Sequence, residues 1–397
     1  MYDAVIVGAR CAGAPTALLL ARKGYRVLLA DRADFPSDTL STHYIHQPGV
    51  ASLKRWGLLE RLVATGCPPA GPLRFDVGPF ALTGSPPPAD GIADAYAPRR
   101  TVLDAMLVEA AAAAGAEVRT RFPVDALVFE GDAVTGIRSG NVTERARVVV
   151  GADGRGSLVA RAVDAAAYEA RTGRTCAYYS YWSGVPGDTV ELHPRDGLMV
   201  MGGAPTTDGL ALAIVFWPRT AFHAVRADVE RSFTAALALA PTLAERLAAG
   251  ERAGRFYGTG SLPFYYRKPF GAGWALVGDA GYHKDPITAV GITDAFRDAE
   301  LLAEALDAGF SGERPLADAL ADYERARKEA SGPLYELTYE LAALAPPSPE
   351  QQALFEAVRR DQEQANRFFG TIAGTVPVAD FFAPRNIERI VGAPVPA

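Results

Sequence analysis

The hydrophobic pattern opens with Ala4-Val5-Ile6-Val7, an apolar run without alternation that ends at Gly8. Such a run predicts a parallel strand over residues 2–7, buried on both faces. Residues 14–23 then carry apolar side chains at helical spacing up to Gly24, and 26–30 return to an unbroken apolar run, so the chain begins β-α-β. The stretch 33–100 differs. Prolines at 36, 48, 68, 69, 72, 79 and 86–88 interrupt it, and only 50–62 has a clear helical pattern. It is expected to be irregular, and long loops of this kind are usually functional or insertional. An alanine-rich helix over 101–115 follows, then strands over 117–119, 124–129 and 133–137. Residues 147–150 repeat the buried-strand pattern just before Gly151.

From about 175 to 266 the pattern becomes strand-rich and aromatic, as in Cys176-Ala177-Tyr178-Tyr179-Ser180-Tyr181-Trp182 and again over 210–217, with one helical insert near 225–250. Residues 274–277 form another buried strand and 293–308 an alanine- and leucine-rich helix. From 316 onward the chain reads as helices divided by Pro346-Pro347-Ser348-Pro349.

Composition narrows the class without naming a chemistry. The 397 residues are 49% hydrophobic and 22% charged, as in ordinary globular proteins, and no apolar stretch is long enough to span a bilayer. Met1-Tyr2-Asp3 carries no basic n-region or cleavage site, which predicts no export. Cys11, Cys67 and Cys176 are too few and too scattered for a disulfide framework or a zinc site, and a cytoplasmic location is expected. The net charge of −6 argues against a nucleic-acid or anionic-membrane partner, since either would select a basic patch. It leaves room for an anionic cofactor, because helix N-termini and a few arginines set the local field.

Three glycine-bearing segments each follow an apolar run. In the first, Gly8-Ala9-Arg10-Cys11-Ala12-Gly13, the positions of Gly8, Gly13 and Ala17 suit a loop that brings backbone amides to a pyrophosphate. Arg10 stands where a second glycine is usual, so its side chain either folds away or lies along the phosphates. A plain strand-to-helix turn is the alternative reading. Asp31 ends the second strand, about twenty residues past the loop, where a carboxylate takes ribose hydroxyls or else caps a turn. The second segment is Val150-Gly151-Ala152-Asp153-Gly154-Arg155-Gly156-Ser157, followed by Val159 and Arg161; the third is Gly278-Asp279-Ala280, with Pro286 and Gly291-Ile292 beyond it.

In this order, across roughly residues 1 to 300, the motifs resemble those of the group A flavoprotein monooxygenases, the 4-hydroxybenzoate hydroxylase superfamily. Flavin-dependent halogenases and geranylgeranyl reductases are relatives. The resemblance implies an α/β fold with a Rossmann-like FAD-binding domain over 1–174 and 267–315. An inserted β-sheet substrate domain would occupy 175–266, and a helical C-terminal region 316–397. It implies non-covalent FAD held by Gly8, Arg10, Gly13, Asp31, Arg32, Arg100, Asp153, Asp279, Pro286, Gly291 and Ile292. Asp279 would take a ribityl hydroxyl, and Asp153 would serve both FAD and a transient NADH or NADPH. Gly291-Ile292 would open a helix whose amides favour negative charge at the flavin's pyrimidine edge. Arg100 either contacts FAD at the start of its helix or is a solvated helix-end arginine. Two positions depart from the family pattern: Tyr282 where histidine is frequent, and Asp285 where a proline is.

Residues 41–49 occupy the stretch that in this family runs beside the isoalloxazine, and they contain His43 and His46. These two, with His283 beside the third motif, are candidates to relay a proton, or else they pack a loop. Tyr178, Tyr181, Trp182, Phe216 and Trp217 are candidates to cover a planar substrate, with no more than two of the five expected to touch it and the others to be core.

The implied reaction is NAD(P)H-driven hydroxylation of an aromatic or polyketide-like molecule by molecular oxygen, through a flavin hydroperoxide. A halogenase would be expected to carry Trp-x-Trp-x-Ile-Pro and a lysine, but Trp56, Trp182, Trp217 and Trp274 include no such pair. An isoprenoid reductase would be expected to carry a cysteine soon after Phe35-Pro36-Ser37-Asp38, and none occurs before Cys67. Arg10 and Tyr282 keep open a non-catalytic FAD-binding protein.

Overall fold

A computed structural model describes residues 1–392. Alternation within the first strands decides the layering. In Tyr2–Val7, Ala4 and Ile6 join one core while Val5 and Val7 join another, and Val148 and Val150 divide from Val149 in the same way. Because both faces are covered, these strands are apolar throughout. They pair in parallel in the order Trp274–Leu276, Val142–Gly151, Tyr2–Val7, Val27–Ala30, Glu117–Arg119. Helices Gly13–Arg22, Arg100–Ala113 and Gly291–Phe310 contribute Leu18, Leu103 and Phe296 to the core on one face. Leu127, Val134 and Val159, from a hairpin and a short helix, contribute to the core on the other. Val7 sits beside Gly151, and Gly151 beside Leu276. The three glycine segments therefore leave the sheet at one edge, the carboxyl end of the strands, where open α/β sheets bind ligands.

The second sheet runs Glu251–Arg252, Thr175–Ser183, Leu210–Pro218, Leu198–Pro205, Val190–Arg195, Leu73–Asp76, Ala81–Gly84. Its last two strands come from 33–100, a stretch the proline pattern reads as irregular. They are short, and one pairs in parallel with Val190–Arg195, a partner more than a hundred residues away that no local pattern reveals. One face of this sheet is covered by Phe222–Ala227, Val229–Leu237 and Pro241–Ala248 through Phe233, Leu243 and Leu247. The other is covered by the C-terminal helices Pro349–Val358, Gln362–Ala373 and Val378–Phe381 through Phe355, Phe368, Phe369 and Phe381. Residues 393–397 of the expected C-terminal region lie outside the described residues.

Two helices differ from expectation for local reasons. The one expected over 50–62 is two, Gln47–Arg55 and Leu59–Ala64, because Gly57 takes φ +70° and turns the chain between them. The single insert near 225–250 is three helices. Asp228 caps the second by accepting from the Arg231 amide, and Pro241 begins the third. Among the described residues no helix is long and apolar enough to cross a membrane.

Candidate functional site

The three glycine segments meet one another, and their contacts explain why small residues recur. A Cβ on Gly8, whose φ is +102°, would stand 2.5 Å from the Ala152 carbonyl oxygen; on Gly278 it would stand 2.7 Å from the Cβ of Ala12. A Cβ on Gly13 would fall 1.8 Å from the Gly8 carbonyl oxygen. Above this nest opens a cleft of about 1030 Å³. Gly8, Arg10, Asp31, Arg32 and Arg100 line it, as do Asp153, Asp279, Pro286, Gly291 and Ile292. Gly13 is absent from the wall and acts from beneath, by letting the helix start close to the loop.

The polar groups of the cleft fit a dinucleotide flavin. Asp31 accepts the amides of Ala9 and Ala33, each at 2.7 Å, which ties the strand end to the glycine loop. The Asp279 carboxylate is exposed to the cleft and has no hydrogen-bond partner among the described residues. Asp153 accepts the Leu158 amide at 2.6 Å, while its buried Oδ1 has no partner. Helices Gly13–Arg22 and Gly291–Phe310 both begin without a side-chain cap, which leaves their first amides for an anion or a carbonyl.

Arg10 does not lie free along the cleft. Its guanidinium pairs with Asp104 at 2.5 Å and donates to Ser37 Oγ at 3.0 Å. Arg100 binds the same fully buried carboxylate at 2.9 Å, and Cys11 Sγ lies 3.4 Å from it. Asp104 thus joins the glycine loop to the helix that begins at Arg100. Sequence reading missed it, although the Arg100–Asp104 spacing is that of a helical ion pair.

The two departures in the third segment have structural partners. Tyr282 stacks on Tyr266 with ring centroids 4.7 Å apart, and its hydroxyl accepts from Lys284 Nζ at 2.6 Å. Lys284 also pairs with Asp294 in the first turn of the following helix; burial lowers its pKa, and Asp294 opposes that shift. Asp285 accepts from the Ile287 amide at 3.0 Å and from the Thr175 hydroxyl, so it fastens this loop to the first long strand of the second sheet. Burial pushes its carboxyl up to about 6.

The histidines separate. His43 is fully buried with φ +64°, lines neither cavity, and has Nε2 2.6 Å from Tyr181 Oη. Burial, aided by the Arg100 and Arg99 cations, holds its pKa at about 3. His43 thus ties its loop to Tyr181 of the second sheet, and neither cavity reaches its ring. Tyr181 is likewise buried against His43 and under Arg99, whose guanidinium lies 4.7 Å over its ring, and it lines neither cavity. His46 donates from Nε2 to the Thr288 carbonyl at 3.1 Å, leaving Nδ1 unpartnered, and burial lowers its pKa to about 4. His283 lines the cleft, donates from Nδ1 to the Pro263 carbonyl and has a pKa lowered by burial.

The substrate assignment of most of the aromatics is corrected. Tyr178, Trp182 and Trp217 point to the sheet face covered by the inserted helices, where Trp182 stacks on Phe233 at 5.8 Å and Tyr178 on Phe222 at 6.5 Å. Alternation along Thr175–Ser183 sends Tyr179 and Tyr181 to the opposite face. Phe216 faces that way too, but it is fully buried and lines neither cavity. On this face, between the sheet and the C-terminal helices, is a second cavity of about 170 Å³. His46, Thr288 and Ala289 line it from the cofactor side, and Thr42 and Ile214 line both it and the cleft.

A family model for an FAD binding domain matches residues 1–239, more than half of the chain. Over 178 residues the chain is 33% identical to a probable electron transfer flavoprotein-quinone oxidoreductase of Escherichia coli, YdiS; this match spans 41% of the chain and 38% of that protein, under half the length of either. The structure of the myxobacterial chondrochloren halogenase CndH superposes with a TM-score of 0.79 at 23% identity, covering 98% of this chain and 95% of that one. PqsL of Pseudomonas aeruginosa, in complex with 2-aminobenzoylacetate, superposes at 0.69 with 23% identity, covering 94% and 99%. At these identities the structural likeness is one of fold. The family match gives the glycine-lined cleft its cofactor: the chain belongs to the FAD binding domain family.

Proposed function

We propose that this FAD-dependent oxidoreductase is a monooxygenase that hydroxylates an aromatic or polyketide-like small molecule, using NADH or NADPH as a transient reductant and molecular oxygen as co-substrate. The observation that carries this reading is the apolar cavity beside the cofactor cleft, with Thr42 and Ile214 as common wall. Bound FAD would supply the redox chemistry, taking a hydride from the nicotinamide and activating oxygen. The protein's part is position, charge and exclusion of water. Asp31 and Asp279 would hold the ribose and ribityl hydroxyls, and Asp153 would serve both FAD and the nicotinamide nucleotide. Arg10 and Arg100, locked on Asp104, keep the cleft wall rigid and cationic. The uncapped amides of Gly291 and Ile292 would favour negative charge on a flavin bound against them. His46 accepts a hydrogen bond at Nδ1 from a group in the cavity, and His283 is the ring within the cleft able to hold a proton at Nε2.

Halogenation is the second reading, favoured by one observation: a lysine, Lys284, lines the cleft. Against it, that ammonium is already held by Asp294 and Tyr282 and does not line the apolar cavity. The test is aerobic turnover of purified, FAD-loaded protein with NADH or NADPH and a panel of phenolic compounds, in the presence and absence of bromide. Ligand-stimulated NAD(P)H oxidation with a product that gains one oxygen atom supports the proposal. A brominated product supports the second reading, and oxidation indifferent to every ligand argues against both.

A further inference from the structure

We infer that the substrate is an uncharged molecule that places one apolar ring, about the size of benzene, in the cavity between the second sheet and the C-terminal helices. That this ligand is the substrate rests on the proposed function; its chemical class rests on the cavity walls. Among the described residues no Asp, Glu, Lys or Arg side chain lines the cavity. Met201, Leu212 and Ile214 come from the sheet, and Leu354, Phe355 and Phe369 from the helices opposite. Its volume of about 170 Å³ compares with the roughly 150 Å³ of an apolar engineered cavity that stays dry and binds benzene.

One corner is polar. The rings of Tyr44 and His46 lie 4.8 Å apart and both line the cavity. The Tyr44 hydroxyl has no hydrogen-bond partner among the described residues, and His46 Nδ1 has none either. A free donor and a free acceptor at one corner suit a neutral phenol, ketone or amide. An ionised carboxylate entering here would find no cation, and His46 is neutral at ordinary pH. A larger substrate would extend past Thr42 and Ile214 into the cleft, which brings its reacting carbon toward the flavin side. The helical wall lies beyond the part of the chain matched by the family model, so the choice of ligand is written largely outside the cofactor motifs.

The experiment titrates FAD-loaded protein at about pH 7.5 with benzamide and with its charged isostere benzoate, read by flavin absorbance changes and by the shift in melting temperature. Benzamide is expected to bind and benzoate to bind at least about 100-fold more weakly, because its charge would be buried without a partner. Ala204→Phe, which fills the cavity from the sheet, and Leu354→Trp, which fills it from the helices, should each weaken benzamide by about 10-fold or more with FAD content intact. Equal binding of benzoate and benzamide overturns the inference, as does unchanged benzamide binding in whichever filled variants fold. Selective binding of neutral compounds without oxygenation of any sinks the monooxygenase reading and leaves the ligand class standing. Oxygenation of a carboxylate does the reverse.

Discussion

His43 Nε2 and Tyr181 Oη lie 2.6 Å apart, a hydrogen bond that fastens the loop after the second nucleotide-sheet strand to the middle of the second sheet. Both side chains are buried, so the bond has no water to replace it. Tyr181→Phe should lower stability by about 1–3 kcal/mol, the range for stranding a buried polar partner, while FAD content stays at the wild-type level. Urea unfolding of the two holoproteins measures this, and coincident curves would show that the contact contributes nothing.

Asp279 offers a cleaner view of the cofactor, since its carboxylate is committed to no other group among the described residues. Asp279→Ala should weaken FAD by about 10- to 100-fold, corresponding to the roughly 1.5–3 kcal/mol of a charge-assisted hydrogen bond, and leave apoprotein stability unchanged. His283→Ala should weaken FAD less. Flavin fluorescence on titrating the apoproteins gives both affinities, and the reverse ranking would remove Asp279 from the ribityl position.

Trp182 tests which face of the second sheet meets substrate. Because it stacks on Phe233 beneath the inserted helices, Trp182→Ala should cost about 3–5 kcal/mol in unfolding free energy. Ligand affinity in the folded variant, measured by flavin absorbance, should match wild type. A large loss of affinity with little loss of stability would restore Trp182 to the substrate side.

Asp285 predicts a pH dependence of defined sign. Its folded-state pKa of about 6 stands above the unfolded value of 3.8, so the folded protein keeps that proton longer. The favourable contribution is full below about pH 4 and is lost as pH rises through 6. Relative to Asp285→Asn, which cannot ionise, wild type should lose about 2 kcal/mol of stability between pH 4 and pH 7.5. Denaturant melts across that range check it; a flat difference, or one of opposite slope, would mean that Asp285 ionises without penalty.

The parts legible in the sequence were those whose cause is local. Unbroken apolar runs marked Tyr2–Val7, Val27–Ala30 and Trp274–Leu276, because a strand buried on both faces has no polar side. The glycine segments were legible because the chain needs close backbone approach at Gly8 and Gly278, and no residue with a Cβ supplies it. With them came Asp31, Arg100, Asp153 and Asp279 as residues of one cleft.

What depends on two distant segments meeting was not written in either. The joining of Leu73–Asp76 to Val190–Arg195, the arrival of Arg10 at the Arg100–Asp104 helical pair, and the bond between Asp285 and Thr175 have no signature in spacing along the chain. Read from the sequence, Tyr178, Tyr181 and Trp182 form one set of candidates, whereas the strand sends Tyr181 to the face closed by the C-terminal helices and the other two to the face covered by the inserted helices. Sequence determined the cofactor cradle because its chemistry acts on the backbone of short motifs. Tertiary packing decided the apolar cavity beside it, because an apolar side chain reads the same whether it fills a core or lines a cavity.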